Sequence, residues 1–334
     1  MLYRNLGNSG VKVSIIGLGT MNFGPNPSKA WIGPGLDEKQ AVEIVRWSHE
    51  QGVNFIDTAD LYQAGVSEQY VGKGIEGIRD GIVLATKVNG PTGPGPNDRG
   101  LSAFHIVRAC EGSLRRLRTD RIDLYQLHVC SFEAPHEETL RALEDLVRSG
   151  KVISIGCSNY PAWMITEALG ICRINGWGRF ISCQPRYNLI DRQIERDILP
   201  VCERHGLGIL PWSPLAAGLL SGKYRRGQEP PEGTRWSVHP YKDRYKQITD
   251  RQWNVVETLV KIADAHGCEP AQVACAWLLS RKALSSVLAG PNSLEQMKSY
   301  VGAAEVKITA EEVARLDDVS GAPEGAPWKP QLAV

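Results

Sequence analysis

No uncharged apolar run in these 334 residues is long enough to span a bilayer. The opening Met1-Leu2-Tyr3-Arg4-Asn5-Leu6 also lacks the apolar core of a signal peptide, so the expected location is cytoplasmic. Charge of neither sign is in excess: 38 Lys and Arg stand against 37 Asp and Glu, a formal +1, with no basic block. That balance argues against nucleic acid or a membrane surface as an electrostatic partner and favours a small neutral or mildly anionic ligand. The eight cysteines, Cys110, Cys130, Cys157, Cys172, Cys183, Cys202, Cys268 and Cys275, include no C-x-x-C pair, and no His cluster completes a zinc site. They read as reduced core or surface thiols, and no metal is expected.

What is present is repetition. Two short extended runs about Gly7-Asn8-Ser9-Gly10 predict an N-terminal hairpin. Strands are then expected at 15–18, 53–56, 82–86, 122–127, 152–157, 180–183, 208–212 and 285–288. A helix capped by Asp37 is expected to reach about Glu50, with Ala41, Ile44, Val45 and Ser48 on its inner face. Further helices are expected at 68–75, 102–117, 137–149, 162–175, 193–205, twice between 249 and the last strand, at 294–301, and near 310–319. Eight strand-helix units argue for parallel strands, because each crossover needs a helix, and the count favours a closed (β/α)8 barrel over an open sheet. No linker interrupts the alternation, so 1–334 is expected to be one barrel domain with 320–334 as an extended tail. The long segments at 21–36, 88–100 and 213–248 all follow strands, and in a barrel they crowd the rim where active sites form.

The open-sheet alternative has one signal in its favour. Gly17-Leu18-Gly19 resembles the start of a dinucleotide-binding G-x-G-x-x-G loop, but Asn22 occupies the third position and a Pro-rich loop follows where a helix should begin. The glycines read instead as permitting a tight turn at a strand end.

The candidate chemistry starts at Asp57-Thr58-Ala59-Asp60-Leu61-Tyr62, which leaves the apolar run Val53-Asn54-Phe55-Ile56. The third strand ends in Lys87 and the fourth in His128. Singly each has an ordinary reading: Asp57 as a turn residue, Tyr62 as packing, Lys87 as a surface strand end, His128 as a satisfied core histidine. An ordered Asp, Tyr, Lys and His at consecutive strand ends is hard to attribute to packing.

Here the chain resembles the aldo-keto reductase superfamily, especially the branch of Shaker-type potassium channel β subunits and bacterial aldo/keto reductases. The matching stretches are Gly17-Leu18-Gly19-Thr20, Phe55-Ile56-Asp57-Thr58-Ala59-Asp60-Leu61-Tyr62, Ala85-Thr86-Lys87, Asp123-Leu124-Tyr125-Gln126-Leu127-His128, Gly156-Cys157-Ser158-Asn159, and Trp212 through Tyr224. The resemblance implies a (β/α)8 barrel that transfers hydride between a nicotinamide and a carbonyl. Hydride transfer builds negative charge on oxygen, which needs a proton donor and a cationic field. The resemblance assigns the proton to Tyr62, with Lys87 beside it favouring the phenolate, Asp57 holding the ammonium, and His128 orienting the carbonyl.

The resemblance further implies cofactor contacts at Gly19, Thr20 and Asp57, at Ser158, Asn159 and Gln184 for the carboxamide, and at Trp212 for stacking. Ser213, Leu215, Ala217, Gly218 and Lys223 are expected along the pyrophosphate, and Gly290, Asn292, Gln296 and Tyr300 at the adenosine end. Many members carry Arg or Lys where Asn292 or Gln296 stand, yet the channel branch holds NADP with Gln at the second position, so NADP(H) is favoured over NAD(H). Phe23 and Trp31, with Tyr62 and His128, are the expected substrate walls, and Trp236, His239 or Tyr241 in the later loop are candidates to close it. Two alternatives remain: an NAD-dependent sugar or alcohol dehydrogenase, and a nicotinamide-binding regulatory subunit.

Overall fold

The computed structural model describes residues 1–25 and 35–321. β1 (Tyr3–Asn5) and β2 (Lys12–Ser14) pair antiparallel, as the turn cluster between them predicts. There follow β3 (Ile16–Gly19), α1 (Glu38–Glu50), β4 (Phe55–Asp57), α2 (Val66–Gly74), β5 (Val83–Val88), α3 (Ala103–Leu117), β6 (Ile122–Leu127), α4 (His136–Arg148), β7 (Val152–Ser158) and α5 (Ala162–Asn175). The second half runs through β8 (Phe180–Gln184), α6 (Ile198–His205), β9 (Gly208–Ile209), α7 (Tyr241–Tyr245), α8 (Asp250–His266), α9 (Pro270–Leu279), β10 (Val287–Ala289), α10 (Leu294–Gly302) and α11 (Ala310–Ser320).

Eight of these strands form one sheet in the order β10-β3-β4-β5-β6-β7-β8-β9, every neighbour parallel. Its two ends meet: Ile209 bridges Leu284 in parallel, Ile209 N–H donates to Ala283 O (2.8 Å), and Ser285 N–H donates to Ile209 O (3.0 Å). The chain is a (β/α)8 barrel with an N-terminal hairpin. Among the described residues no helix is long and apolar enough to cross a membrane.

Local chemistry explains most boundaries. α1 starts where Asp37 accepts from Gln40 N–H and Gln40 returns a bond to Asp37 N–H, and it buries Ala41, Ile44, Val45 and Ser48, one stripe at helical spacing. The helix expected over 193–205 is instead a 3-10 turn (Gln193–Arg196) followed by α6. Pro200 lacks the N–H that would reach Arg196 O and its ring would clash there, so the helix restarts at Asp197, whose carboxylate accepts from Ile198 N–H. β9 is shorter than expected because Pro211 cannot donate to a ladder, although Trp212 N–H still reaches Pro185 O at 3.0 Å. The segment after it, expected as loop, holds two 3-10 turns (Ala216–Ser221 and Arg235–Ser237) and α7.

Two apolar layers result. The larger packs the helices onto the outside of the strands. The smaller fills the barrel interior with Phe55, Ala85, Leu124, Leu210 and Leu288, and the hairpin seals it from below with Leu6 and Val13. Gly17 belongs to this interior. A Cβ there would sit 2.8 Å from the Phe55 ring and 2.9 Å from Ser286 Oγ, so the glycine answers to lumen space, not to a turn at the strand end.

Candidate active site

Side chains alternate along a strand, so residues two apart share a face. Two residues above the lumen layer of Phe55, Ala85 and Leu124 stand Asp57, Lys87 and Gln126, and Gln184 joins them from β8. At the C-terminal end of the barrel the packing therefore changes from apolar to polar in one step.

Lys87 lies at the centre and has no solvent-exposed surface. Its Nζ donates to Asp57 Oδ2 (2.5 Å), Thr58 O (2.8 Å) and Tyr62 Oη (3.1 Å), which uses all three ammonium protons. Asp57 Oδ1 accepts from Gln126 Nε2 (2.9 Å) and Gln184 Nε2 (2.8 Å), so the carboxylate is held on both oxygens. Burial alone would pull Lys87 down, but Asp57 and Tyr62 outweigh it and hold the ammonium above its ordinary value. Tyr62 follows the opposite balance. Burial raises it, Lys87 lowers it, and the net direction is upward, so the phenol is protonated at neutral pH. Lys87 acts on Tyr62 in the direction expected, towards the phenolate, but it offsets only part of the burial cost.

His128 follows β6, with its ring 5.6 Å from that of Tyr62 and edge-on at 79°. Burial, then Lys87, pushes the imidazole well below the usual range, so it is neutral at neutral pH. Its Nδ1 is buried and meets no hydrogen-bond partner within the protein.

The next group is a linked rim. Ser158 Oγ donates to Gln184 O (2.7 Å), Asn159 Nδ2 donates to His128 O (3.0 Å) and Ser158 Oγ (3.0 Å), and Trp212 Nε1 donates to Asn159 Oδ1 (3.0 Å). Gln184 Nε2 is committed to Asp57 and to Gln126 Oε1 (3.2 Å). The N–H and O–H donors of Ser158, Asn159, Gln184 and Trp212 are thereby spent, and what remains are acceptor lone pairs on Asn159 Oδ1 and Gln184 Oε1. Asn159 sits at φ 54, a left-handed conformation that Asn tolerates well. The guanidinium of Arg186 lies 5.7 Å from the Trp212 ring centroid.

Beyond Trp212 the backbone turns left-handed at Ser213 (φ 56), Ala216 (φ 49), Ala217 (φ 57) and Gly218 (φ 89). For alanine that costs about 1–2 kcal/mol each, strain of the kind that gathers at ligand sites. Leu215 packs half-buried against the outer core, and Lys223 is exposed. Trp236 is buried in an aromatic cluster with Tyr224, Tyr241 and Tyr245 and donates to Ala217 O (3.1 Å), so the later loop braces this turn. His239 is exposed beside Asp243.

Other sequence-derived candidates separate from the centre. Phe23 has no exposed surface and pairs with Leu36 in the outer core, so a pocket-wall role does not follow from its position; it is packing. Trp31 lies outside the described residues. Thr20 is buried, its hydroxyl bonded to Asp57 O (3.1 Å) and Ser67 Oγ (2.9 Å), and Gly19 pairs with Asp57 in the sheet. At the far end Gly290 and Asn292 are exposed, Gln296 folds back to accept from Asn292 N–H (2.9 Å), and Tyr300 is buried in the outer core.

Sequence reasoning missed the layer behind Lys87. Glu68 is fully buried, bonded by Thr86 Oγ1 and by Arg116 Nε, both at 2.6 Å. Gln126 was legible, as the one amide in an otherwise apolar strand interior two residues before His128. All eight cysteines are unpaired, and no group of three His, Cys, Asp or Glu among the described residues is placed to hold a metal.

The model of the aldo/keto reductase family matches residues 15–320. Among curated relatives, the uncharacterized oxidoreductase YrpG of Bacillus subtilis is 36% identical over 97% of this chain and 98% of its own. A probable voltage-gated potassium channel subunit beta of Arabidopsis thaliana is 38% identical over 92% of each. The versiconal hemiacetal acetate reductase of Aspergillus parasiticus is 34% identical over 95% of this chain and 96% of its own.

Proposed function

Because the chain belongs to the aldo/keto reductase family, a family of nicotinamide-dependent oxidoreductases, we propose that it reduces the carbonyl of an aldehyde, ketone or sugar, with Tyr62 as the proton donor. The observation that carries this reading is the Lys87 ammonium fixed between Asp57 and the Tyr62 hydroxyl, with a neutral His128 beside it. The nicotinamide, when bound, supplies the hydride. As negative charge grows on the carbonyl oxygen, Tyr62 gives up its proton, and the nearby Lys87 charge stabilises the phenolate left behind. Asp57 keeps that ammonium from moving with the proton. A neutral imidazole at His128 offers one ring N–H to the same oxygen without placing a second cation against Lys87.

The residues present fit the cofactor. The unspent acceptors of Asn159 and Gln184 suit the NH2 of a carboxamide, Trp212 offers a ring to stack on, and Lys223 with the strained turn at 213–218 suits a diphosphate. NADP(H) is the proposed form, with Asn292 and Gln296 at the adenosine end, and the chain is taken as one catalytic domain acting on small molecules in the cytoplasm.

Three experiments test this. Steady reduction of benzaldehyde should proceed with NADPH, and binding compared by tryptophan quenching should be tighter for NADPH than NADH. Tyr62→Phe should lose roughly 100-fold or more in kcat while still binding NADPH, given what a positioned acid is worth. Near-normal turnover in that variant would remove Tyr62 from its role. The similarity to a protein named as a channel β subunit favours a second reading, a nicotinamide-binding regulatory subunit; NADPH held tightly with negligible turnover of aldehydes and sugars would support it.

A further inference from the structure

Behind the proposed centre lies a buried group of three carboxyls and two cations whose pairing is incomplete. Lys87 takes Asp57, and Arg116 takes Glu68. The third carboxyl, Asp60, is 3% exposed, and neither of its oxygens meets a hydrogen-bond partner. Its position is fixed through the main chain, where Asp60 N–H donates to Lys87 O at 3.2 Å. The ionisable groups facing it are Glu68 from α2, Arg116 from α3, Lys87 from β5, Tyr125 from β6, and Tyr62 from its own loop. With both cations already engaged, ionising Asp60 would add an uncompensated negative charge to a dry cluster.

We propose that Asp60 is a positioning residue held as a neutral carboxylic acid at neutral pH, and that its ionisation at alkaline pH shifts the proton equilibrium of Tyr62. The inference rests on the reading of Tyr62 as proton donor. Burial and then Glu68 push the Asp60 carboxyl up to about 8, with Arg116, the Leu61 amide and Lys87 offsetting only part. Once ionised, Asp60 opposes formation of a second negative charge on Tyr62, so the phenol keeps its proton to higher pH. The effect has opposite value in the two directions of the reaction. Carbonyl reduction needs the protonated phenol and is extended to alkaline pH; alcohol oxidation needs the phenolate and is held back.

Asp60→Asn fixes the side chain in a neutral form of nearly the same shape. Its kcat/KM for benzaldehyde with NADPH should fall off at a pH roughly one unit below that of the wild type, about what a buried like charge nearby is worth. An infrared titration of the wild-type protein between about pH 6 and about pH 10 should show a protonated-carboxyl stretch that disappears with rising pH and is missing in Asp60→Asn. A falling limb that stays in place in Asp60→Asn, or a wild-type spectrum with no titrating carboxyl band, overturns the proposal. The infrared measurement needs no turnover. A band that behaves as expected alongside a fully active Tyr62→Phe would therefore sink the donor assignment while leaving the neutral Asp60 in place.

Discussion

Replacing Lys87 by Met removes the charge at the centre of the site and keeps most of its volume. Three acceptors then lose their donor: Asp57 Oδ2, Thr58 O and Tyr62 Oη. Asp57 is the costly one, because its side chain is 4% exposed and keeps only the two amide bonds on Oδ1. Removing one partner of a buried ion pair costs about 3–5 kcal/mol, so a loss of about 4 kcal/mol is expected for Lys87→Met, and a similar loss for Asp57→Asn, which strands the ammonium. The double variant leaves no unpaired charge. Its loss should therefore be about 5 kcal/mol, some 3 kcal/mol less than the singles added together, within the range measured for directly coupled residues. Urea unfolding followed by tryptophan fluorescence reads all four proteins, provided the slopes agree so that midpoints can be compared. Strict additivity would refute the reasoning, because it would mean that neither residue depends on the other for its place in the fold. A near-neutral Lys87→Met would refute it more directly.

The remaining expectations concern protonation. His128 should stay neutral well below the ordinary imidazole range, because burial and then Lys87 hold it down; a ring resonance assigned to it by NMR that titrates at the ordinary value of about 6.5 would contradict this. Asp60 must take up a proton to fold between its ordinary carboxyl value and about pH 8, so the cost is absent near pH 4, grows as pH rises, and is complete by about pH 8. At pH 7 that interval is about three pH units, or about 4 kcal/mol, which Asp60→Asn escapes; urea midpoints should show the variant gaining stability over wild type from pH 4 to pH 8, and equal stability throughout would count against it.

How much of this was legible in the sequence depends on the range of the interaction. Asp37 marks a helix start by bonds made within four residues, and α1 begins where that cap predicts. Asp57, Lys87 and His128 were legible because a strand that ends in an ionisable residue breaks its own apolar pattern. Asp60, Glu68 and Arg116 were not, since their grouping depends on how α2 and α3 pack, and Glu68 alone looks like any acidic residue near a helix start. The break before α6 had a signal in Pro200, but amphipathic spacing across 193–205 masked it. The left-handed turn at 216–218 had none, as two alanines in that conformation contradict their local preference and must be held there by neighbours, among them Trp236 through Ala217 O.

The two-residue period of the strands also accounts for the electrostatics. Each of Asp57, Lys87 and Gln126 is seated directly above an apolar side chain of its own strand, and below that layer Leu6 and Val13 plug the barrel. Water is thus excluded from the underside of the ion pair, and the field of Lys87 is screened mainly from the mouth, the side on which Tyr62 and His128 lie. A cation in that position acts on whatever occupies the mouth far more strongly than it would in water, where the same charge is worth only about 1 kcal/mol at 4 Å. Asp60 is dry for a different reason, since α2 and α3 cover it on the outer side of the strands, where Glu68, Arg116 and Tyr125 face it. A polar layer laid over a sealed apolar one therefore makes Lys87 effective towards a growing oxyanion, and the helices packed outside the same strands make the third carboxyl of the cluster titrate late.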